Sequence, residues 1–142
     1  MSRYLLDTNV VSEPRRKRPD PNVLRWIAGI DEGNLYLSAF TPAEIRKGIV
    51  KLGQDRRARA YEAHLEELRA QFADRILPLD DQVLDRWGQI TGACEARGVV
   101  LSVIDALFAA TALHYNLIFA TRNTRHLRDT GVQLFNPWTA SG

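Results

Sequence analysis

Three carboxylates stand in parts of the sequence that are otherwise apolar, and acids in such places suggest chemistry. Asp7 directly follows the apolar run Tyr4–Leu6, and Glu44 lies one helical turn inside a predicted helix that follows a second apolar run. Asp105 lies in the first turn of the almost wholly apolar segment Val103–Leu113. A buried charge is costly unless it is paired, hydrogen-bonded or bound to a cation. These three acids are therefore the candidate catalytic residues.

Each acid also has a local explanation that involves no chemistry. Thr41 and Glu44 form the Thr-x-x-Glu pattern of a capping box at a helix start. Ser102 and Asp105 can form a second cap of this kind, and the negative charge of Asp105 near the helix start interacts favourably with the helix dipole. Asp7 can cap a local turn through its neighbours. All three acids at one end of a sheet would be a coincidence if each were only structural.

Three carboxylates that converge on one point repel each other, and a divalent cation removes that conflict. Ligands that are all oxygen select hard metals, so Mg²⁺ or Mn²⁺ is favoured over zinc. Such a site suits metal-assisted hydrolysis of a phosphodiester. From the residues alone, each acid can be explained either as a cap of a helix or turn or as a metal ligand.

The predicted strands that would position these acids alternate with predicted helices along the chain. This alternation predicts an α/β fold with a mainly parallel sheet and helices on both faces. Ligands bind such sheets beyond the carboxyl ends of the strands, which draws attention to Asp7 and to residues 121–123. Predicted strands cover residues 4–6, 35–38, 76–79, 117–120 and 132–135. A predicted helix opens at Asp20-Pro21, and others cover residues 41–52, 54–72, 80–98 and 102–114.

The predicted helix 54–72 is highly charged, and its apolar stripe is Tyr61, Leu65, Leu68 and Phe72. His64 lies among the charged residues of this helix and is expected at the surface. The polar segment from Arg15 to Pro21 is predicted to be a loop.

The composition fits one globular domain spanning residues 1–142, with 45% apolar and 25% charged residues. No apolar run approaches the ~18 residues of a membrane span, and we expect neither a span nor a signal peptide. The single cysteine, Cys94, cannot form an internal disulfide, so the expected location is the reducing cytoplasm. The net charge of +2 is too small to indicate nucleic acid by itself, although residues 15–18 form a basic run.

Several common kinds of site are excluded by missing motifs. The sequence has no P-loop, no G-x-G-x-x-G fingerprint and no G-x-S-x-G nucleophile elbow. Its three histidines lack the spacing of metal ligands. A phosphoreceiver domain matches in size and fold but needs a late lysine, and no lysine follows Lys51.

Four segments carry a resemblance to a known family, namely residues 5–13, 38–49, 105–112 and 120–124. They contain Asp7-Thr8-Asn9, Thr41-x-x-Glu44, Asp105 and Thr121-Arg122-Asn123, in the family's order. In these segments the chain resembles PIN-domain ribonucleases of the VapC type, the toxins of type II toxin–antitoxin pairs. Ser12-Glu13 and the basic segment after it resemble the FitB-like branch.

The resemblance implies a three-layer α/β/α sandwich and an endoribonuclease that depends on Mg²⁺, for which Mn²⁺ can substitute. It assigns the metal to Asp7, Glu44 and Asp105, and Asn123 stands where many relatives carry a fourth acid. Supporting hydroxyl or amide groups would be Thr8, Asn9, Ser102 and Thr121. Contacts to RNA phosphates would come from Arg15, Arg16, Lys17, Arg18, Arg46 and Arg122. It also implies a DNA-binding antitoxin partner and a homodimer.

Two other functions remain open from the sequence. One keeps the fold and the metal but acts in DNA or RNA processing outside a toxin pair. The other is a non-catalytic interaction module whose acidic cleft binds a basic partner, which the neutral side chain of Asn123 favours.

Overall fold

Five short parallel strands form the sheet, in the order β3-β2-β1-β4-β5. In the computed structural model, which describes residues 1–139, their bounds are Tyr4–Leu6 (β1), Leu35–Ser38 (β2), Ile76–Leu77 (β3), Ile118–Ala120 (β4) and Leu134–Phe135 (β5). Residues 140–142, the end of the predicted domain 1–142, lie outside the described residues. In the central register, Tyr4 stands beside Leu35 on one side and Ile118 on the other.

Seven α-helices connect the strands. Their bounds are Thr8–Ser12 (α1), Pro21–Gly29 (α2), Phe40–Leu52 (α3), Arg57–Gln71 (α4), Asp81–Ala96 (α5), Val103–Tyr115 (α6) and Thr124–Leu127 (α7). Short 3-10 turns follow α1, precede β2 and follow α7. None of the helices within residues 1–139 is long and apolar enough to cross a membrane.

One face of the sheet packs against α6. Side chains alternate between the faces of a strand, so Leu5 and Phe119 point to this side and contact Phe108, Ala109 and Ala112. The rings of Phe108 and Phe119 stack with their centroids 5.2 Å apart. Helix α5 covers α6 in turn through a separate apolar cluster. This packing fixes the position of α6, and with it the position of Asp105.

The opposite face packs against α2 and α4. Leu6 and Leu37 point to this side, where they form one buried cluster with Val23 of α2, Leu68 of α4 and Phe72 just after it. Apolar residues from both faces of every central strand are therefore buried, as expected of a parallel sheet covered on both sides. The predicted three-layer α/β/α sandwich is confirmed, and the sheet is wholly parallel.

The predicted start of α3 was wrong. The helix begins at Phe40, where the Ser38 hydroxyl accepts the backbone N–H of Phe40 at 3.0 Å, and Ala39 occupies the cap position without a side-chain hydrogen bond. Thr41 is fully buried inside the helix and does not cap it. The capping-box explanation of Glu44 therefore fails, because the Thr41 hydroxyl has a tertiary partner instead.

The predicted surface position of His64 was also wrong. His64 is buried with 8% of its surface exposed, whereas Tyr61 of the predicted stripe is 42% exposed. The buried arc of α4 thus runs through His64, Leu65 and Leu68, rotated away from Tyr61. An imidazole can take an apolar position more readily than a charged side chain can, because it is neutral when buried.

Two further local features differ from the predicted loops. Helix α1, which the sequence analysis did not predict, follows β1 directly. A 3-10 turn at Glu13–Arg15 occupies the start of the expected polar loop. Glu13 is 3% exposed and its carboxylate accepts the backbone N–H of Asp20 at 2.8 Å, which ties the two ends of the loop together.

Candidate active site

Asp7 lies where β1 ends and α1 begins. Its backbone N–H donates to the carbonyl of Ala120 on β4 at 3.0 Å, which fixes it at the carboxyl end of the central strands. Its carboxylate is 8% exposed and accepts two hydrogen bonds, from the hydroxyl of Thr121 at 2.7 Å and from the backbone N–H of Asn9 at 3.3 Å. Asp7 therefore caps α1 locally and still presents a carboxylate at the strand ends.

Burial raises the pKa of the Asp7 carboxyl above its ordinary value, because loss of water disfavours the charged form. The hydrogen bonds from Thr121 and from the backbone N–H groups of Asn9 and Thr8 oppose this rise in pKa. The negative charge of Asp105 adds to it. Asp7 and Asp105, which are 98 positions apart in the chain, are thus close enough to repel each other.

Glu44 reaches the same region through a chain of hydroxyl groups. The Thr8 hydroxyl donates to Glu44 Oε1 at 2.5 Å, and the hydroxyl oxygens of Thr8 and Thr41 lie 3.0 Å apart. Since a hydroxyl has one proton to donate, Thr41 donates to Thr8, which donates to Glu44. Thr8 directly follows Asp7, so this chain connects Glu44 of α3 to the end of β1.

Thr41 is a site residue that the sequence analysis missed, because it was interpreted as a helix cap. The signal in the sequence that could have identified Thr41 as a site residue was its spacing of three positions from Glu44. Residues three apart share a helix face, so a threonine at this position can support the glutamate as easily as cap the helix.

Asp105 lies in the first turn of α6 and is half-buried. The Ser102 hydroxyl accepts the Asp105 backbone N–H at 3.0 Å and caps the helix. Within residues 1–139 the Asp105 carboxylate makes no ion pair. Asp105 and Asp7 together place negative charge at this edge of the sheet.

Asn123 lies at the start of α7 and is exposed. Its backbone N–H donates to the Thr121 hydroxyl at 3.1 Å, and that hydroxyl in turn donates to Asp7. Thr121 is fully buried and links the loop after β4 to the acid after β1. The structure therefore brings Thr121 next to Asp7, whereas the side chains of Asn123 and Asn9 face outward.

The donor set is chemically suited to a hard divalent cation, because every candidate ligand is an oxygen. A repulsive pair, Asp7 and Asp105, is the arrangement that a cation relieves. As the side chains stand, no three acids, histidines or cysteines in the described part of the chain are grouped closely enough to hold a metal ion together. Glu44 is the acid whose carboxylate is engaged elsewhere, by Thr8.

The arginines predicted to contact RNA have partners in the protein. Arg15 pairs with Glu67 at 2.5 Å, Arg46 pairs with Glu62 through two contacts of 2.6 and 2.8 Å, and Arg16 lies 3.5 Å from Glu13. The Arg122 guanidinium lies over the Trp138 ring, 4.5 Å from its centroid. Lys17 and Arg18 are exposed.

A parallel sheet covered on both faces, with the acids Asp7 and Asp105 at its strand ends, defines an α/β protein with an acidic edge to its sheet. The family model for the PIN domain matches residues 4–132. The chain belongs to the PIN-domain family. Nucleases of this family generally depend on a divalent metal.

Curated relatives match almost the whole chain, a toxin and a ribonuclease among them. Toxin FitB of Neisseria gonorrhoeae is 38% identical over 135 residues, which are 94% of this chain and 97% of FitB. The VapC ribonuclease Y4jK of Sinorhizobium fredii is 35% identical over 135 residues, which are 94% of this chain and 96% of the relative. Among solved structures, FitAB bound to the IR36 DNA fragment contains a chain that matches with a TM-score of 0.91 and 35% identity, covering 98% of both chains.

Proposed function

We propose that this chain is an endoribonuclease that depends on Mg²⁺, or on Mn²⁺ in its place, and acts as the toxin of a type II toxin–antitoxin pair. The observation that carries the proposal is the buried carboxylate of Asp7, which is repelled by Asp105 at the end of the central strands. Relatives described as a toxin and as a ribonuclease, similar over nearly their whole length, support the same function.

Asp7, Glu44 and Asp105 would hold the metal, and Asn123 would stand beside them as a neutral amide. When bound, a divalent ion of this kind neutralises charge on a phosphodiester and makes water a stronger acid. Because an amide oxygen carries no net charge, Asn123 would hold a second ion more weakly than an acid would.

The surrounding residues orient these carboxylates. Thr121 and the backbone of Asn9 hold Asp7, Thr8 holds Glu44, and the Ser102 cap fixes the first turn of α6 that carries Asp105. Hydrolysis by water forms a bond from water oxygen to phosphorus and breaks the bond from phosphorus to the 3′ oxygen. A carboxylate takes a proton from the water and the 3′ oxygen gains one, so the products carry 5′-phosphate and 3′-hydroxyl ends.

RNA phosphates would meet the arginines at the rim of the site. Arg15 and Arg46 would exchange protein carboxylates for phosphates, which is feasible because both pairs are exposed. Arg16 is itself exposed and would contact a phosphate with the side that faces away from the buried Glu13. The Arg122 guanidinium lies on Trp138 and can reach a phosphate without giving up that contact.

The proposed partners are a DNA-binding antitoxin and a second copy of this chain. The FitAB complex on DNA supports the first partner, since its similar chain matches at 35% identity. Exposed apolar residues at the start of α6 support the second, with Val100 86%, Val103 62% and Ile104 40% exposed. The same proposal places the protein in the cytoplasm, where the buried free thiol of Cys94 stays reduced.

The test compares cleavage of defined RNAs by the parent and by Asp7→Asn and Asp105→Asn in Mg²⁺, in Mn²⁺ and in excess EDTA. We expect the parent to cleave only when metal is present and to leave 5′-phosphate ends, and we expect neither Asp7→Asn nor Asp105→Asn to cleave. Glu95→Gln, an exposed acid on α5, is the matched control and should cleave like the parent.

Two results would overturn the metal-dependent mechanism, namely persistent cleavage by both folded variants or products that end in cyclic phosphate. Metal-dependent cleavage by a chain whose gene has no antitoxin neighbour would instead indicate a processing nuclease. A parent that cleaves no RNA and gains no stability from Mn²⁺ would favour a non-catalytic interaction module.

A further inference from the structure

A cavity of about 370 Å³ begins at the candidate active site and extends away from it. Thr8 and Glu44 line one end of the cavity, and Arg15, Arg16 and Arg57 contribute elsewhere to its lining. The cavity lies among α1, α3 and α4 and the 3-10 turn after α1. Of the three candidate acids it therefore reaches Glu44, and of the basic run 15–18 it is lined by Arg15 and Arg16.

The lining combines an apolar surface with two rings. Ile45, Ile49 and Leu52 of α3 supply the apolar surface, and Tyr61 and His64 of α4 supply the rings. Tyr61 is 42% exposed, although it is a large aromatic residue. A flat, mostly apolar ligand with polar edges fits such a lining.

His64 carries a polar atom that the protein leaves unsatisfied. Its Nε2 is buried and has no hydrogen-bond partner among the described residues, while the side chain lines the cavity. Burial lowers the pKa of His64, and the positive charge of Arg15 lowers it further against the opposing charge of Glu67, so the fold favours the neutral ring. A buried polar atom without a partner is costly. Because this Nε2 is closed to solvent, a ligand in the cavity reaches it only when the imidazole ring turns toward the cavity.

The charges favour an anionic ligand. The guanidinium groups of Arg15, Arg16 and Arg57 outnumber the single carboxylate of Glu44 along the lining. The pairs of Arg15 with Glu67 and of Arg57 with Asp55 are exposed, so a phosphate can replace either acid, whereas Arg16 pairs with the buried Glu13. Arginine suits this exchange because its planar group binds phosphate through two parallel hydrogen bonds.

We infer that this cavity is a nucleotide subsite, in which one base of the RNA beside the cut phosphate packs on Ile45 and Tyr61 and is read at its edge by His64. The volume matches a small-molecule pocket, and single-stranded RNA is read by stacking on aromatic rings and by hydrogen bonds to base edges. This inference rests on the proposed ribonuclease function, because it assigns part of the substrate to the same site. The subsite would make the enzyme prefer one base next to the cut.

The first experiment measures binding without cleavage. The four nucleoside 5′-monophosphates are titrated into the full chain in EDTA while the ring protons of His64 and Tyr61 are followed by NMR, with ribose 5-phosphate as the ligand that lacks a base. We expect at least one nucleotide to shift both rings and ribose 5-phosphate to leave them unchanged. Tyr61→Leu should weaken nucleotide binding about fivefold or more, and His126→Gln, an exposed histidine outside the cavity, should not.

The second experiment measures base preference in cleavage. RNAs that differ only in the bases flanking the cut are incubated with the parent, His64→Gln, Tyr61→Leu and His126→Gln in Mn²⁺. We expect the ratio of cleavage rates between preferred and poor RNAs to fall about fivefold or more in the two cavity variants. The His126→Gln control should keep the parent's ratio.

The outcomes separate this inference from the proposed function. RNA cleavage with unshifted rings and an unchanged preference in both cavity variants would overturn the subsite and leave the nuclease standing. Shifted rings without any cleavage would support nucleotide binding and overturn the nuclease. Equal shifts with ribose 5-phosphate would reduce the cavity to a phosphate site. Shifts caused by a cognate antitoxin and by no nucleotide would make it a protein-docking surface. Either result overturns the inference.

Discussion

The carboxylate of Asp7 at the end of β1 is buried, so it loses most of its contact with water. Burial and the charge of Asp105 raise its pKa, so the fold prefers the protonated form more than the unfolded chain does. The stability associated with protonation is present at low pH and is lost as pH rises through the raised pKa. At neutral pH, without metal, the ionised Asp7 therefore destabilises the fold.

We expect Asp7→Asn to be more stable than the parent in EDTA at neutral pH, because the amide carries no charge to bury. The difference should vanish below pH 3.8, the ordinary pKa of an aspartate, where both side chains are neutral. Urea unfolding of both proteins at the two pH values measures this. A variant that is less stable than the parent at neutral pH would show that the hydrogen bonds to Asp7 outweigh its burial.

Thr41 affects the site through the hydrogen bond that its hydroxyl group donates. Its hydroxyl donates to Thr8, and Thr8 donates to Glu44. Thr41→Val keeps the shape and removes the donor, so we expect it to lose about 1 kcal/mol of stability and roughly tenfold in the rate of RNA cleavage. Thr41→Ser keeps the hydroxyl and should cleave like the parent, although the loss of its buried methyl group costs some stability.

Urea unfolding and single-turnover cleavage are the measurements for these two variants. The serine variant serves as the control, because it keeps the hydroxyl and loses only a methyl group. Cleavage by Thr41→Val at the parent's rate would mean that Glu44 keeps its orientation without the hydroxyl chain.

At the level of elements, the site depends on where helices begin. Helix α1 begins directly after Asp7, and α7 begins directly after Asn123. Helix α6 begins two residues before Asp105, which lies in its first turn. The caps of α1 and α6 are local and follow sequence rules, since Asp7 and Ser102 each accept a backbone N–H from their own helix.

Removing the cap of α6 should affect both stability and the site. We expect Ser102→Ala to cost about 1 kcal/mol of unfolding free energy and to lower cleavage, because the first turn that holds Asp105 frays. Ser102→Asn retains a capping oxygen and should behave like the parent. Thermal unfolding and cleavage rates measure both effects, and an alanine variant with the parent's melting temperature would contradict the role of the cap.

The start of α3 shows why one element was predicted poorly. Thr41-x-x-Glu44 satisfies the local rule for a cap, yet its hydroxyl is bonded to Thr8, 33 positions away in the chain. Helix α4 shows the same limitation, since the choice between Tyr61 and His64 as the buried residue depends on what the helix packs against. The strands, the sheet type and the caps of α2, α5 and α6 were predictable, because apolar runs and capping residues act locally.

At the scale of the whole molecule, a bound ion contributes to the stability of the entire fold. An ion that binds only the folded chain stabilises it by mass action, by about 1.4 kcal/mol at ten times its dissociation constant. We expect millimolar Mn²⁺ to raise the melting temperature of the parent by about 5 °C. Asp105→Asn should lose most of this gain, and Glu95→Gln should keep it.

Differential scanning fluorimetry with and without EDTA is the measurement. An equal gain in Asp105→Asn would place the ion away from the strand ends. No gain in any protein would agree with a cleft that binds only a partner.

The sequence by itself determined the class of fold, the order of the strands and of helices α2 to α6 along the chain, and the identity of Asp7, Glu44 and Asp105 as candidate acids. Local apolar runs, caps and residue types are written along the chain, and parallel strands bring their carboxyl ends to one edge. Tertiary structure alone decided which hydroxyl groups support the acids, that Asp7 and Asp105 repel each other, and that His64 lines a cavity. These features depend on the distance between side chains far apart in the chain, and that distance exists only once the sheet has brought the helices together.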